Sequence, residues 1–243
     1  MIVEGAISVK AVLEANKRKI HRLLIQDGKR SKDVSYILHL AHTSKIPIEF
    51  VSKEAIDSIV VGKTHGGVLL ECEGRVYEDL QRCQENFVLL LEGIEDPYNL
   101  GGIIRTAYVA GCQTILLPSR DYDTMETTIL KSSAGYSERL KIVLITDYEK
   151  TFKHLKSCGF SIVSALRNEK SISMYDSDLS QKVCICIGGE KRGLSKEVID
   201  NSDTFVEIQY PIAARNALSA FSSANILCFE VVRQRRRGQK HED

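Results

Sequence analysis

The chain has no tryptophan and only four prolines in 243 residues. No apolar run approaches the ~18–20 residues that a bilayer-spanning helix needs, so a helical membrane protein is not expected. The stretch Met1 to Lys10 lacks the basic-then-apolar pattern of a secretory signal, and export is not expected either. An excess of one charge is also missing. There are 33 basic and 32 acidic residues, a net charge of +1, so no global positive field announces nucleic acid. Neither G-x-G-x-x-G nor G-x-x-x-x-G-K-[ST] occurs, which removes the dinucleotide and P-loop readings. The seven cysteines are odd in number and form no C-x-x-C pair. Cys184 and Cys186 alternate within an apolar stretch and share one face of a strand. Buried, reduced thiols are therefore expected rather than metal ligands or disulfides, and with them a cytoplasmic location.

The composition that remains is that of an ordinary globular protein, 43% hydrophobic and 27% charged, long enough for one large or two smaller domains. Charge is distributed unevenly. Lys10, Lys17, Arg18, Lys19, Arg22, Lys29, Arg30 and Lys32 crowd the first 32 residues, and Arg233, Arg235, Arg236, Arg237 and Lys240 crowd the end. Either run can contact phosphates, or can simply be a solvated helix face.

Periodicity predicts a small α/β layer first: helix 8–15, strand 20–26, helix 32–43, strand 46–51, helix 53–60 capped by Ser52, and strand 68–72. The polar stretch 79–86 reads as a linker between a domain over 1–78 and another over 87–243. The second domain opens on Phe87 to Leu91, apolar throughout, as a strand buried on both faces would be. Predicted next are a helix from about Gly101 to Ala110, a strand at 114–117, a helix at 123–133 and a strand at 140–145. A helix at 147–158 and strands at 161–165 and 183–187 follow, then a helix at 195–201, a strand at 204–208 and a last helix at 216–235. This is an α/β fold with a mainly parallel sheet.

Ligands in such sheets sit beyond the carboxyl ends of the strands. Three loops there carry unusual chemistry: Glu92 to Ala107, Ile187 to Ser195, and Tyr210 to Ser219. Gly188-Gly189 directly after a strand lets backbone approach a ligand closely, or is only a turn. Arg105 at the start of a helix can fork onto a phosphate or carboxylate, or can make a surface ion pair.

Taken in order, these loops resemble a known family. Asp96-Pro97-x-Asn99-x-Gly101-x-Ile103-Ile104-Arg105-Thr106-Ala107, followed by Gly111, is similar to the first motif of the SpoU/TrmH RNA 2′-O-ribose methyltransferases of the SPOUT superfamily. Ile187-Gly188-Gly189-Glu190-x-x-Gly193-Leu194 resembles the second motif. Pro211 through Arg235 resembles the third with its last helix, and Lys131 to Gly135 looks like an S-x-G segment between them. Residues 1–78 resemble the L30e-like substrate-binding domain common in that family, through Gly5, Val9 and Val12, the strand at Leu23-Leu24-Ile25, and Thr64-His65-Gly66-Gly67-Val68.

The resemblance implies a C-terminal α/β domain threaded into a trefoil knot, working as a homodimer whose site is completed across the interface. It implies S-adenosyl-L-methionine as cofactor and no metal. Ala165, Leu166, Gly188, Gly189, Glu190, Tyr210, Ile212 and Leu218 are the cofactor residues it implies, and Asn99, Arg105, Glu190 and Ser219 the catalytic ones. Arg105, Lys63, His65 and Arg22 are the candidate RNA contacts, with His65 otherwise a turn residue. An alcohol is a weak nucleophile at neutral pH. A guanidinium with pKa above ~12 hardly deprotonates it, so Arg105 is expected to clamp a phosphate and stabilise the developing alkoxide. The third motif usually reads S-L-N followed by V-S. Here Ala217, Leu218, Ser219, Ala220 and Phe221 stand in those places, so Ala217 and Ser219 replace the Ser and Asn. The implied activity is 2′-O-methylation of RNA, with 23S rRNA as target. A tRNA methyltransferase and a non-catalytic ribosome-assembly protein are the alternatives.

Overall fold

The computed structural model describes residues 1–60, 64–80, 85–213 and 216–239, with side chains through residue 236. The chain divides into two units, 1–76 with 121–139 and 77–120 with 140–243.

The first unit opens with β1 (Ile2–Glu4), α1 (Ala6–Ala15), β2 (Ile20–Gln26), α2 (Lys32–Thr43), β3 (Ile48–Val51), α3 (Lys53–Ile59) and β4 (Val68–Cys72). Its sheet runs β1-β4-β2-β3, with β2 and β3 parallel and the other pairs antiparallel. The periodicity of α1 and α2 places Val9, Val12, Val34 and Ile37 against Leu23, Ile25 and Leu70 of the sheet. The opposite face buries Leu24, Leu69 and Ile56, the last from α3. Ser31 and Ser52 cap α2 and α3 through their hydroxyls, as short helices after strands require. β1 was not anticipated from the sequence, because three residues are too few to show a period.

The second unit begins with β5 (Phe87–Glu92), α4 (Pro97–Val109) and β6 (Thr114–Pro118). Helix α4 starts four residues earlier than periodicity suggests. Asp96 accepts from the N–H groups of Tyr98 and Asn99, and Pro97 fills the first turn, where it has no N–H to waste. The chain then contributes α5 (Asp123–Ser132) and a 3₁₀ turn (Tyr136–Glu138) to the first unit. It returns as β7 (Lys141–Ile145), α6 (Tyr148–Ser157), β8 (Ser161–Ala165), β9 (Ile172–Ser173), β10 (Val183–Gly188), α7 (Lys196–Asn201), β11 (Thr204–Glu207) and α8 (Ala220–Gln239). All seven strands pair in parallel, in the order β7-β6-β5-β10-β8-β11-β9. This is the mainly parallel α/β architecture with a small N-terminal α/β unit that was expected. β10 wedges between β5 and β8, the chain moves outward to β11, and α8 comes back to pack on β10 and α4.

Within the first unit, Arg18 and Arg75 are buried between Glu126 and Glu138. Arg18 donates to Glu138 (3.0 and 2.5 Å) and to Glu126, and Arg75 donates to Glu126 (2.9 Å), Glu138 (2.5 Å) and the Ser137 carbonyl (2.8 Å). Two cations facing two carboxylates satisfy charges that would otherwise be costly to bury. Burial pushes the Glu126 carboxyl up, but Arg75 and Arg18 more than offset it and hold it below the usual range. The S-x-G segment lies here too. Ser133 is fully buried, its hydroxyl donating to the Leu130 carbonyl, and a Cβ on Gly135 (φ +80°) would stand 2.4 Å from the Ala11 Cβ. It packs a turn. None of the described cysteines is in a disulfide, and burial pushes the Cys112 thiol up to about 12, an unreactive state.

Candidate active site

Three loops of the second unit enclose one cavity of about 890 Å³ at the carboxyl ends of β8, β10 and β11. The first wall is Ala165, Leu166 and Arg167, directly after β8. The second is the glycine loop after β10, with Gly188, Gly189, Glu190 and Gly193. The third follows β11, from Ile208 through Ala213, and resumes at Asn216, Ala217 and Leu218. Leu166, Ile187, Ile212 and Leu218 give the cavity apolar surface, while exposed backbone and the Glu190 carboxylate give it polar groups. Tyr210 closes the third loop on itself, its hydroxyl accepting from the Leu218 N–H at 2.9 Å.

The glycine pair turns out to serve the chain before it serves any ligand. A Cβ on Gly189 would lie 2.1 Å from the Gly93 carbonyl oxygen, and one on Gly188 would lie 2.3 Å from the Gly193 carbonyl carbon. The loop is folded against its neighbours: Gly189 N–H donates to the Glu92 carbonyl (2.7 Å), and Gly193 N–H donates to the Gly189 carbonyl (2.9 Å). Glycine spacing was legible in the sequence, but its cause is close packing of backbone on backbone.

The family comparisons agree with this geometry. The model of the SpoU rRNA methylase family matches residues 86–229, and the model for RNA 2′-O ribose methyltransferase substrate binding matches residues 2–77. The chain belongs to the SpoU rRNA methylase family. A protein of Staphylococcus saprophyticus named as a TrmH family tRNA/rRNA methyltransferase is 30% identical, over 97% of this chain and 96% of its own. Among solved structures, the SpoU methyltransferase AviRb from Streptomyces viridochromogenes, in complex with the cofactor AdoMet, superposes with a TM-score of 0.81. The identity is 21%, over 98% of this chain and 91% of that one. The AdoMet-bound rRNA methyltransferase of Sinorhizobium meliloti gives 0.78 at 24% identity, over 96% and 87%. At those identities the two structures speak for the fold. Family membership makes this chain an RNA 2′-O-ribose methyltransferase by class.

All eight residues that the SpoU resemblance assigned to the cofactor line the cavity: Ala165, Leu166, Gly188, Gly189, Glu190, Tyr210, Ile212 and Leu218. The other candidates sit elsewhere. Arg105 is exposed on α4, with no hydrogen bond or ion pair to any described residue, and it does not line the cavity of its own chain. Asn99 is half-buried in the first turn of α4, also outside the cavity. Ser219 is committed: its hydroxyl accepts from the Ser222 N–H (3.1 Å), which makes it the N-cap of α8 and explains why that helix starts at Ala220 instead of Asn216.

The RNA candidates of the first unit are likewise engaged. His65 is buried, its Nδ1 accepting from the Gly67 N–H (3.1 Å), which leaves Nε2–H to donate to Asp57 (2.9 Å). That is the geometry of the turn-residue alternative. Arg22 bridges Glu71 (2.6 Å) and Glu49 (3.1 Å) across the sheet, and both hydrogen bonds raise its pKa. Lys63 lies outside the described residues. In the C-terminal basic run, Arg233 pairs with Glu230 (2.6 Å), and Arg235 donates to the carbonyls of Asn86 (2.8 Å), Ser180 (3.2 Å) and Gln181 (2.9 Å) while stacking over Phe87. Both work on the fold rather than on phosphates.

Sequence reasoning missed Glu92. Its Oε2 accepts from the Ser195 N–H (2.6 Å) and its Oε1 from the Tyr148 hydroxyl (2.7 Å). An acidic residue closing an all-apolar strand was the available signal.

Proposed function

We propose that the chain transfers a methyl group from S-adenosyl-L-methionine to a ribose 2′-hydroxyl of rRNA, as a cytoplasmic homodimer with residues 1–78 as its RNA-recognition module. The observation that carries this reading is the convergence of three loops, far apart in sequence, on one cavity. Its volume and mixed lining suit a nucleoside-sized ligand, with apolar walls for a base and a few polar groups to fix orientation. Gly188, Gly189, Tyr210, Ile212 and Leu218 would hold the cofactor from two sides, with Ala165 and Leu166 behind, and Glu190 and Glu207, the latter paired with Arg167 at 3.6 Å, supply carboxylates for a cationic ligand. When bound, the cofactor supplies a methyl carbon already activated by a sulfonium charge.

The chain's own task is then to position the hydroxyl and stabilise the charge that develops on it. Arg105 carries that role. Its guanidinium is permanently charged and forks onto a phosphate, but cannot serve as a base. Asn99, one turn and a half earlier on the same helix, orients the ribose or the loop.

Arg105 stands outside its own chain's cavity, which favours a second copy completing the site. Helices α4 and α8 pack together and leave Tyr98, Val109 and Phe229 exposed at 68%, 56% and 51%. On α8, Asn225 lies four residues from both Phe221 and Phe229, and its buried Oδ1 has no hydrogen-bond partner among the described residues. Exposed large apolar side chains on two packed helices suit a partner surface.

An rRNA target is favoured by the match of the substrate-binding model to residues 2–77 together with the rRNA methylase model. Incubating the purified chain with radiolabelled cofactor and bulk rRNA or tRNA tests this. Label in rRNA, mapped to one ribose that is unmethylated in cells lacking the gene, is the expected result. Label in tRNA alone would replace the target, and cofactor binding without transfer to either would favour the assembly-protein alternative.

A further inference from the structure

Glu92 reaches the cavity through other residues at three points. Its carbonyl takes the Gly189 N–H at the start of the glycine loop (2.7 Å), and its carboxylate takes the Ser195 N–H at the end of that loop (2.6 Å). The remaining carboxylate oxygen takes the Tyr148 hydroxyl (2.7 Å), on a side chain that packs against the core beside Phe152. One residue thus fixes both ends of a loop whose middle, Gly189, Glu190 and Gly193, lines the cavity. Ser195 is also the N-cap of α7, its hydroxyl accepting from the Val198 N–H, so the held end is continuous with a helix. Glu92 itself does not line the cavity.

We propose that Glu92 is a positioning residue, which locks the 189–195 loop in its cofactor-binding shape by clamping the Ser195 amide against the Tyr148 hydroxyl. The inference rests on the cofactor reading given above, but its geometry does not. A carboxylate accepting a backbone N–H is a strong, directional hydrogen bond. Without it, the far end of the loop loses its hydrogen bond to β5 and keeps only the exposed Lys191–Glu95 pair, the Gly193–Gly189 bond and the packing of Leu194, and the glycines that let it fold tightly also let it shift. The competent shape is then a fraction of the ensemble, and apparent affinity falls by that fraction.

The test uses the full chain with Glu92→Ala and Glu92→Gln. The glutamine keeps one carbonyl oxygen for the Ser195 N–H, and its amide can donate to the Tyr148 hydroxyl. Amide hydrogen exchange without cofactor is the first readout: Ser195 exchanges at least tenfold faster in the alanine variant and near the parent rate in the glutamine variant. Titration calorimetry is the second: the dissociation constant for S-adenosyl-L-methionine rises at least tenfold in the alanine variant, recovers in the glutamine variant, and RNA affinity is unmoved. Should Glu92→Ala fail to fold, Glu92→Asp, one methylene too short to reach both donors, replaces it. Unchanged Ser195 exchange overturns the proposal. So does a glutamine variant as impaired as the alanine one, or a dissociation constant within twofold of the parent. A parent chain that binds no S-adenosyl-L-methionine overturns the functional reading instead, and the exchange rates alone then decide whether Glu92 braces the loop.

Discussion

Gly189→Ala is the perturbation that most directly asks what the glycine loop is for. The added methyl carbon would sit 2.1 Å from the Gly93 carbonyl oxygen and 2.6 Å from its carbon, where a normal carbon–oxygen approach is about 3.3–3.6 Å. Relief takes a displacement of more than about 1 Å. Such a movement breaks the hydrogen bonds from Gly189 N–H to Glu92 and from Gly193 N–H to Gly189, each worth about 1 kcal/mol net. Overpacking adds about 1–3 kcal/mol. The total, about 3–5 kcal/mol, falls on a loop rather than on the whole fold. At about 1.4 kcal/mol per factor of ten, it should appear as a roughly 100- to 4,000-fold loss of cofactor affinity, with a much smaller change in melting temperature. Gly193→Ala is the internal comparison. Its Cβ meets nothing within 4 Å, and only the left-handed φ of +65° opposes it, at about 1–2 kcal/mol. Calorimetric titration of both variants against the parent checks the argument. If Gly189→Ala binds cofactor within threefold of the parent, the glycines are not there for backbone packing and the account of this loop is wrong.

Arg105→Ala should lower the rate of methyl transfer by about 100- to 1,000-fold, the usual cost of losing a charge-stabilising donor, while cofactor affinity stays within about twofold; normal turnover would refute the clamp. Gly102→Ala would set a methyl 2.5 Å from the Phe221 ring, so it should destabilise the α4–α8 pair, and a second change, Phe221→Ala, should restore part of the loss; thermal melts of the single and double variants decide. Phe229→Glu on the exposed face of α8 should yield a folded monomer with little methyl transfer, measured by sedimentation, and a persistent dimer would locate the interface elsewhere. Glu126→Ala strips a buried carboxylate from Arg18 and Arg75 and should cost about 3–5 kcal/mol in urea unfolding. Because the Glu126 carboxyl is held below its ordinary 4.5, its contribution is fully present above that pH and disappears as the pH falls below it. The parent should therefore lose stability steeply there, and the alanine variant less steeply.

How far the sequence could be read depended on the distance over which each structural cause acts. Six of the seven parallel strands announce themselves as short, mostly apolar runs bounded by loops, a local signal; β9, two residues long, does not. The helix caps at Ser31, Ser52 and Asp96 are equally local. The partition of 121–139 is not. Its residues lie in sequence between two adjacent strands of the parallel sheet, yet Glu126 finds Arg18 108 positions away and Arg75 51 positions away. Nothing within a helical window hints at that quartet, since an acidic residue on a polar helix reads as solvated surface. Buried charge pairing is a property of two distant segments meeting.

The cavity shows the same division at finer scale, and it changes how the motif 3 departures weigh. Motifs placed the cavity-lining residues because a glycine pair and a proline loop after strands are spaced by the backbone itself. At Ser219 the hydroxyl is spent on the first turn of α8, and at His65 one ring nitrogen closes a turn while the other bonds Asp57 on α3, contacts that no motif spells out. With Ser219 occupied and Ala217 carrying no polar group, the polar residues that the third loop still brings to the cavity are Gln209, Tyr210 and Asn216. The charged residues that line the cavity are Arg167, Glu190 and Glu207, and Arg105 on α4 is not among them. If Arg105 clamps the substrate as proposed, it meets the cofactor cavity only where α4 of one copy faces the cavity of another. On that reading catalysis leans on dimerisation, and a monomeric variant should lose transfer well before it loses the cofactor.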